Sequence, residues 1–247
     1  MQQLILMKKP LFLLVSVFFF ALLLPSVFCA TPARTFFNGL GDLAGINAVG
    51  GSIDGAYSFV AGVKANAIRL ENQAAVNFPN VGGLKNSGTI EFWVKPEFDI
   101  KKMGRGGSSG LFEVGNFPYL STFGVWAYNS EWGPVVILEV KDSEGNYKQA
   151  WSKVTSFKPN KWHHVAIVWK CNQKKSGDNY ARVYVDGEAG SKQTKLCKSI
   201  DLAGNGIQIG TLGYYQGNTK TMDNLEVFDG VKSSDAIKSD YKKLKPK

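Results

Sequence analysis

"NKWHHVAIVWK", residues 160–170, holds both histidines of the chain side by side. In a β-strand successive side chains leave on opposite faces. Trp162, His164, Ala166 and Val168 then share one face, and His163, Val165, Ile167 and Trp169 share the other. Both faces are largely apolar, which predicts a strand covered on both sides. His163 and His164 point apart, so a regular strand cannot bring them to one metal ion, and no nearby cysteine or third histidine completes a zinc set. The pair therefore reads as structural, and with it go the obvious general bases of the chain.

The same two-residue period recurs outward from this stretch. "AIRL" (67–70), "AAVNF" (74–78), "GTIEFWVKPE" (88–97), "GLFEVG" (110–115), "FGVWAYN" (123–129), "PVVILEVK" (134–141) and "YKQAWSK" (147–153) precede it. "YARVYVDG" (180–187), "GIQIGTL" (206–212) and "MDNLEVFDG" (222–230) follow it. Turn-forming "DSEGN" (142–146), "DGEAG" (186–190) and "AGNG" (203–206) punctuate them. Many short strands with Gly, Asn and Asp turns predict an all-β fold, an antiparallel β-sandwich of the jelly-roll kind. "SSDAIKSDYKKL" (233–244) is the one convincing helix outside the leader, capped by Ser233 or Ser234 with Ile237 and Tyr241 on its apolar side. Residues 31–60 are rich in Gly and Ala and predict an edge strand and loops.

The N-terminus reads as a cleaved signal peptide, residues 1–30. "MKKPLFLLVSVFFFALLLPSVFCA" begins at Met7 with two lysines, continues as a long apolar run and ends in small residues, with cleavage after Cys29 or Ala30. Residues 31–247 then form one domain, with no integral membrane segment after cleavage, and the expected location is secreted, periplasmic or cell surface. The formal charge of +9 comes mostly from lysines in loop-like stretches and the tail "YKKLKPK". No basic arm or nucleic-acid motif accompanies it, so the charge points to a soluble basic protein, with anionic glycan as a conceivable partner rather than nucleic acid. In an exported chain the two remaining cysteines, Cys171 and Cys197, predict a disulfide. Both fall at the same end of a three-strand meander, and bridging requires their Cα atoms within about 7 Å.

Five segments, in order, resemble the laminin-G-like, concanavalin A-like jelly-roll domains. "GAYSFVAGVKANAIRLENQAAVNFPN" is similar to the opening strands of that family and "SGTIEFWVKPEF" to its central strand. "NKWHHVAIVWK" and "ARVYVDGEAG" are similar to its strand and hairpin, and "IQIGTLGYYQGNTKTMDNLEVFDGVKSSDAIKSDY" to its closing segment. The resemblance runs from about residue 50 to 243. Trp93 and Trp162 offer large apolar area to the core, and Asp186-Gly187 tolerates a tight turn.

The resemblance implies a secreted noncatalytic module that recognises carbohydrate or glycoprotein. It also implies a bound calcium ion at the sandwich rim, at Asp223, with Asp42 or Asp54 as companion. Such an ion wants six to eight oxygens, and "FNGLGDLAGINAVGG" is poor in acids. For sugars the residues of interest are aromatic: Trp126, Tyr128 and Trp132 in "WAYNSEWGP", and Tyr214 and Tyr215 in "GTLGYYQGN". Trp126 and Tyr128 share parity, and Trp132 sits in a loop. The alternative is a structural or adhesive surface protein that binds other proteins through a sheet face. A glycoside hydrolase comes third. It needs two facing carboxylates, and the nearest sets are Glu139, Asp142 and Glu144, off register in a turn, and Glu91 and Glu97, separated by Pro96.

Overall fold

The computed structural model describes residues 32–79, 81, 85–116, 120–141, 147–154, 157–173, 178–190, 206–210 and 218–246. The expected leader, Cys197, Tyr214, Tyr215 and the 142–146 turn with Asp142 and Glu144 lie outside them.

The strands run β1 (Ala33–Asn38), β2 (Ser52–Asp54), β3 (Tyr57–Ala61), β4 (Asn66–Leu70), β5 (Ala75–Phe78), β6 (Ser87–Pro96), β7 (Ser108–Asn116) and β8 (Leu120–Ser130). They continue with β9 (Gly133–Lys141), β10 (Tyr147–Lys153), β11 (His163–Lys170), β12 (Tyr180–Val185), β13 (Glu188–Ala189), β14 (Ile207–Gly210) and β15 (Lys220–Asp229). Two helices, α1 (Leu43–Ala48) and α2 (Ser234–Leu244), complete the described elements.

Two antiparallel sheets face each other. Sheet A has the order β13-β12-β11-β6-β15-β4-β3, with β1 also paired to β15, and sheet B has the order β10-β9-β8-β7-β14-β5-β2. The jelly-roll sandwich expected from the strand pattern is therefore the fold. The inward residues obey the period of two. On β11 they are Val165, Ile167 and Trp169, on β6 Ile90, Phe92 and Val94, and on β8 Phe123, Val125 and Ala127, all in one fully buried cluster. Each large aliphatic or aromatic side chain so buried contributes roughly 1.5–3 kcal/mol.

The outer face of sheet A is covered too, which explains why β11 is apolar on both sides. Helix α2 lies over it and buries Ile237 against Ala166, Val168 and Tyr184. Its N-cap is Ser233, whose hydroxyl accepts from the Ala236 N–H at 3.2 Å. Tyr241 of α2 stacks on Trp93 at 5.8 Å. Trp93 thus serves this outer layer rather than the core between the sheets, and Trp162 is only half-buried, with Lys95 Nζ 5.3 Å from its ring. Beneath the helix, Lys232 Nζ lies 2.7 Å from Glu91 Oε1 and also pairs with Asp240 of α2.

Residues 31–60 carry more order than their composition suggests. Besides β1, β2 and β3 they form α1, whose first turn is capped by Asp42 accepting from Gly45 N–H at 2.6 Å. The Asp186-Gly187 turn has φ of 54° and 78°, the paired left-handed conformation of a tight hairpin turn. Cys171, just past β11, is fully buried.

Candidate functional site

The histidines part as their alternation requires. His163 turns inward, where its Nδ1 lies 2.9 Å from Asp186 Oδ2 and its Nε2 accepts from Lys158 N–H at 3.0 Å. Accepting at Nε2 places the ring proton on Nδ1, so His163 donates to Asp186, whose other oxygen accepts from His164 N–H at 3.0 Å. One carboxylate thus fixes the hairpin turn to the neighbouring strand. His164 turns outward, with Nε2 3.2 Å from Glu91 Oε2 and its ring 5.2 Å from that of Trp93.

The residues expected to hold calcium are engaged separately. Asp42 caps α1. Asp54 accepts from Asn77 Nδ2 at 2.7 Å. Asp223 is buried and accepts from Val63 N–H at 2.7 Å, with Lys64 and Asn224 N–H groups also directed at it. Burial pushes its carboxyl up to about 6, against the pull of those three donors. Asp223 therefore ties the turn before β4 to a bulge in β15, where Asn224 has φ 49°. Among the described residues no group of three or more His, Cys, Asp or Glu is placed to hold a metal ion.

Glu91 and Glu97 do not face each other across a cleft. Glu91 is buried beneath α2 between Lys232 and His164. Glu97 binds Arg69 through both oxygens, at 2.6 and 2.8 Å.

The aromatic residues fare differently. On β8, Trp126 and Tyr128 point away from the core, and strand register sets the rows around them. Trp126 stands beside Ile137 of β9, which stands beside Trp151 of β10. Tyr128 stands between Ser108 of β7 and Val135 of β9. In the next row Gly124 lies between Glu113 and Glu139, and Glu139 accepts from Gln149 Nε2 at 3.0 Å.

Trp126, Val135 and Ile137 form a small apolar cluster with Tyr128 and Trp151 against its edge. Gly124 makes room for it. A Cβ there would overlap Cζ2 and Cη2 of Trp126 and come within 3.0 Å of Cε2. The indole therefore lies flat on Gly124, in the space between Glu113 and Glu139, and is only 4% exposed.

Trp132, in the β8–β9 turn, is 65% exposed. Its backbone is held by Ser130, whose hydroxyl accepts from Trp132 N–H at 3.2 Å and donates to Gly133 O at 2.6 Å. Its ring stacks on Trp151 at 6.3 Å and 24°. Trp126, Tyr128, Trp132 and Ile137 line a groove of about 590 Å³ on sheet B, together with Arg105, Ser108, Glu131, Glu139 and Gln149. Arg105 pairs with Glu131 at 2.9 Å.

The three described aromatic candidates, Trp126, Tyr128 and Trp132, thus share one groove. Trp151 and Glu113 join this face without having been singled out. The parity of "YKQAWSK" puts Trp151 opposite the inward Ala150, but only the register of β10 brings it under Trp132. Glu113 is 4% exposed, and burial pushes its carboxyl up to about 7, partly offset by the Lys220 ammonium. Lys220 is enclosed between the sheets and donates to Gly110 O at 2.9 Å, and burial brings it down to about 7. Chemically the groove offers an aromatic stacking surface bordered by acceptors and amide donors, the combination that grips a sugar ring and its hydroxyls.

Comparisons with known proteins agree with the fold. The binding domain of Paraclostridial Mosquitocidal Protein 1 superposes with a TM-score of 0.64 at 15% identity, over 84% of this chain and 51% of that one. The binding domain of botulinum neurotoxin DC in complex with SialylT gives 0.59 at 11% identity, over 79% and 46%. This chain thus spans about half the length of those toxin domains. Domain 4 of AbnA, a GH43 extracellular arabinanase from Geobacillus stearothermophilus, in complex with arabinotriose, gives 0.57 at 15% identity over 85% of this chain and 98% of that one. No curated protein sequence matches the chain. Residues 70–238 match the Laminin_G_3 family. With that match over most of the chain and the sandwich just described, the protein belongs to the concanavalin A-like lectin/glucanases superfamily.

Proposed function

We propose that the protein is a noncatalytic binding module that recognises carbohydrate, free or on a glycoprotein, through the aromatic groove on sheet B. The observation that carries this reading is the exposed Trp132, stacked on Trp151 over a floor of Trp126 and Ile137, with polar side chains along the border. An exposed indole beside orienting polar groups is what a sugar ring requires, since one face is apolar and the edges carry hydroxyls. The arabinotriose bound to the arabinanase domain supports the reading by analogy of fold alone.

The same proposal includes export of the chain behind the 1–30 leader to the cell surface, the periplasm or the medium. It includes a Cys171–Cys197 disulfide, supported by the complete burial of Cys171 just past the end of β11. It also includes a calcium contribution at Asp223, with Asp42 or Asp54 as companion and the remaining oxygens from backbone carbonyls and water. Among the described residues no helix is long and apolar enough to cross a membrane.

A glycan array probed with the protein, with and without chelator, tests this reading. Binding to a defined set of glycans that disappears in Trp132→Ala is the expected result, and loss with chelator would add the metal. Equal binding by wild type and Trp132→Ala would remove the groove from the account.

A further inference from the structure

The groove differs in charge from the protein that carries it. The whole chain is basic, at +9, yet the described charged residues that line the groove are Arg105, Glu131 and Glu139. Arg105 is already paired with Glu131, which leaves the Glu139 carboxylate on the sheet, held in place by Gln149. Two strands over in the same row stands a further carboxyl, Glu113. Two lysines share this outer face by strand parity, Lys141 and Lys153, but neither lines the groove, and Lys141 Nζ lies 5.6 Å from the Tyr147 ring instead.

Resting on the carbohydrate reading above, we infer that the groove selects neutral saccharides and rejects uronates and sialylated glycans. A neutral sugar meets it as donor. Its hydroxyls give hydrogen bonds to the oxygens of Glu139 and to Ser108 while its apolar face lies on Trp132. A sugar carboxylate placed on the same surface faces the Glu139 carboxylate with no unpaired cation among the described lining residues. Like charges brought together at a partly desolvated surface act as a discriminating element against the wrong ligand. The lysines elsewhere on the molecule attract anions only diffusely, and salt screens that attraction within about 8–10 Å.

Isothermal titration at physiological salt tests this, using arabinotriose and cellotriose as neutral probes and trigalacturonate and 3′-sialyllactose as anionic ones. Each is titrated into wild type, Trp132→Ala and Glu139→Gln, and groove binding is the part lost in Trp132→Ala. The inference expects groove binding of at least one neutral probe to be about tenfold or more tighter than that of either anionic probe. It expects Glu139→Gln to narrow that gap by raising the affinity for trigalacturonate. Groove binding of an anionic probe as tight as that of the neutral ones, or a gap untouched by Glu139→Gln, overturns the inference while leaving the carbohydrate reading in place. Absence of any Trp132-dependent binding, with these probes and on the array, overturns both.

Discussion

Gly124→Ala makes the sharpest demand on the groove as described. The substitution adds one methyl group on the outer face of β8, where the Trp126 indole lies against the glycine. The new Cβ would overlap two ring carbons and sit 3.0 Å from a third, whereas unbonded carbons rest at about 3.5–4.0 Å. The ring must move. Ejecting it altogether would expose about 150–250 Å² of indole, at about 25 cal/mol per Å², or roughly 4–6 kcal/mol. Tilting it within its pocket strains neighbours such as Ile137 and costs about 1–3 kcal/mol, as small-to-large changes in packed sites do. Tilting is therefore the expected response. Urea unfolding should show a midpoint lowered by about 1 M for a slope near 2 kcal/mol per M, and saccharide affinity should fall because the floor is no longer flat. Gly39→Ala is the control, since its added carbon would meet nothing closer than 3.9 Å. A Gly124→Ala protein as stable as wild type and unchanged in binding would refute the packing of Trp126 on this glycine.

Other consequences can be checked by the same unfolding assay. Lys232→Met should destabilise by about 3–5 kcal/mol, because it leaves Glu91 buried beside His164 with its main cation removed. Lys220→Met should be neutral or stabilising by up to about 4 kcal/mol below pH 7. A lysine whose folded value is brought down to about 7 penalises the folded state most where both states are protonated, so the gain should shrink as pH rises from 7 toward the ordinary lysine range. Glu113 works in the opposite direction. Its folded value is raised to about 7, so its contribution to stability is greatest in acid, falls as pH rises through 7, and is absent in Glu113→Gln. His163→Ala should cost about 1–3 kcal/mol, since it leaves the Lys158 N–H and the Asp186 carboxylate without their shared partner.

The strands were legible because burial on a sheet imposes a period of two that survives in single segments. β11 could be read from eleven residues, and its apolar outer face already implied a cover, which α2 supplies. Asp186-Gly187 was legible as a turn because few other pairs adopt left-handed backbone cheaply. The grouping of Trp126 and Tyr128 followed from parity alone. What the sequence hid was everything set by register between distant segments. Trp151 meets Trp132 only because β10 pairs with β9 at Ile137. Glu113 is buried because Gly124 lets an indole lie between it and Glu139. Trp93 looked like core, but α2 gives it a second layer to join. Helix α1 went unseen because "LAGINA" is too short to show a helical period. The helix cap made by Asp42 and the three backbone N–H groups on Asp223 were likewise hidden, because their partners are fixed only by the folded neighbourhood.

The most direct test of the central claim uses the six tryptophans, whose indole N–H groups report separately in a ¹⁵N-correlated spectrum. Titrating the protein with the best neutral ligand from the array should move the signals of Trp126, Trp132 and Trp151 together. Trp93 and Trp169, buried elsewhere, and Trp162, on the Lys95 side of sheet A, should stay in place. Shifts confined to the second set, or ligand binding that leaves the first set unmoved, would contradict recognition through the groove on sheet B.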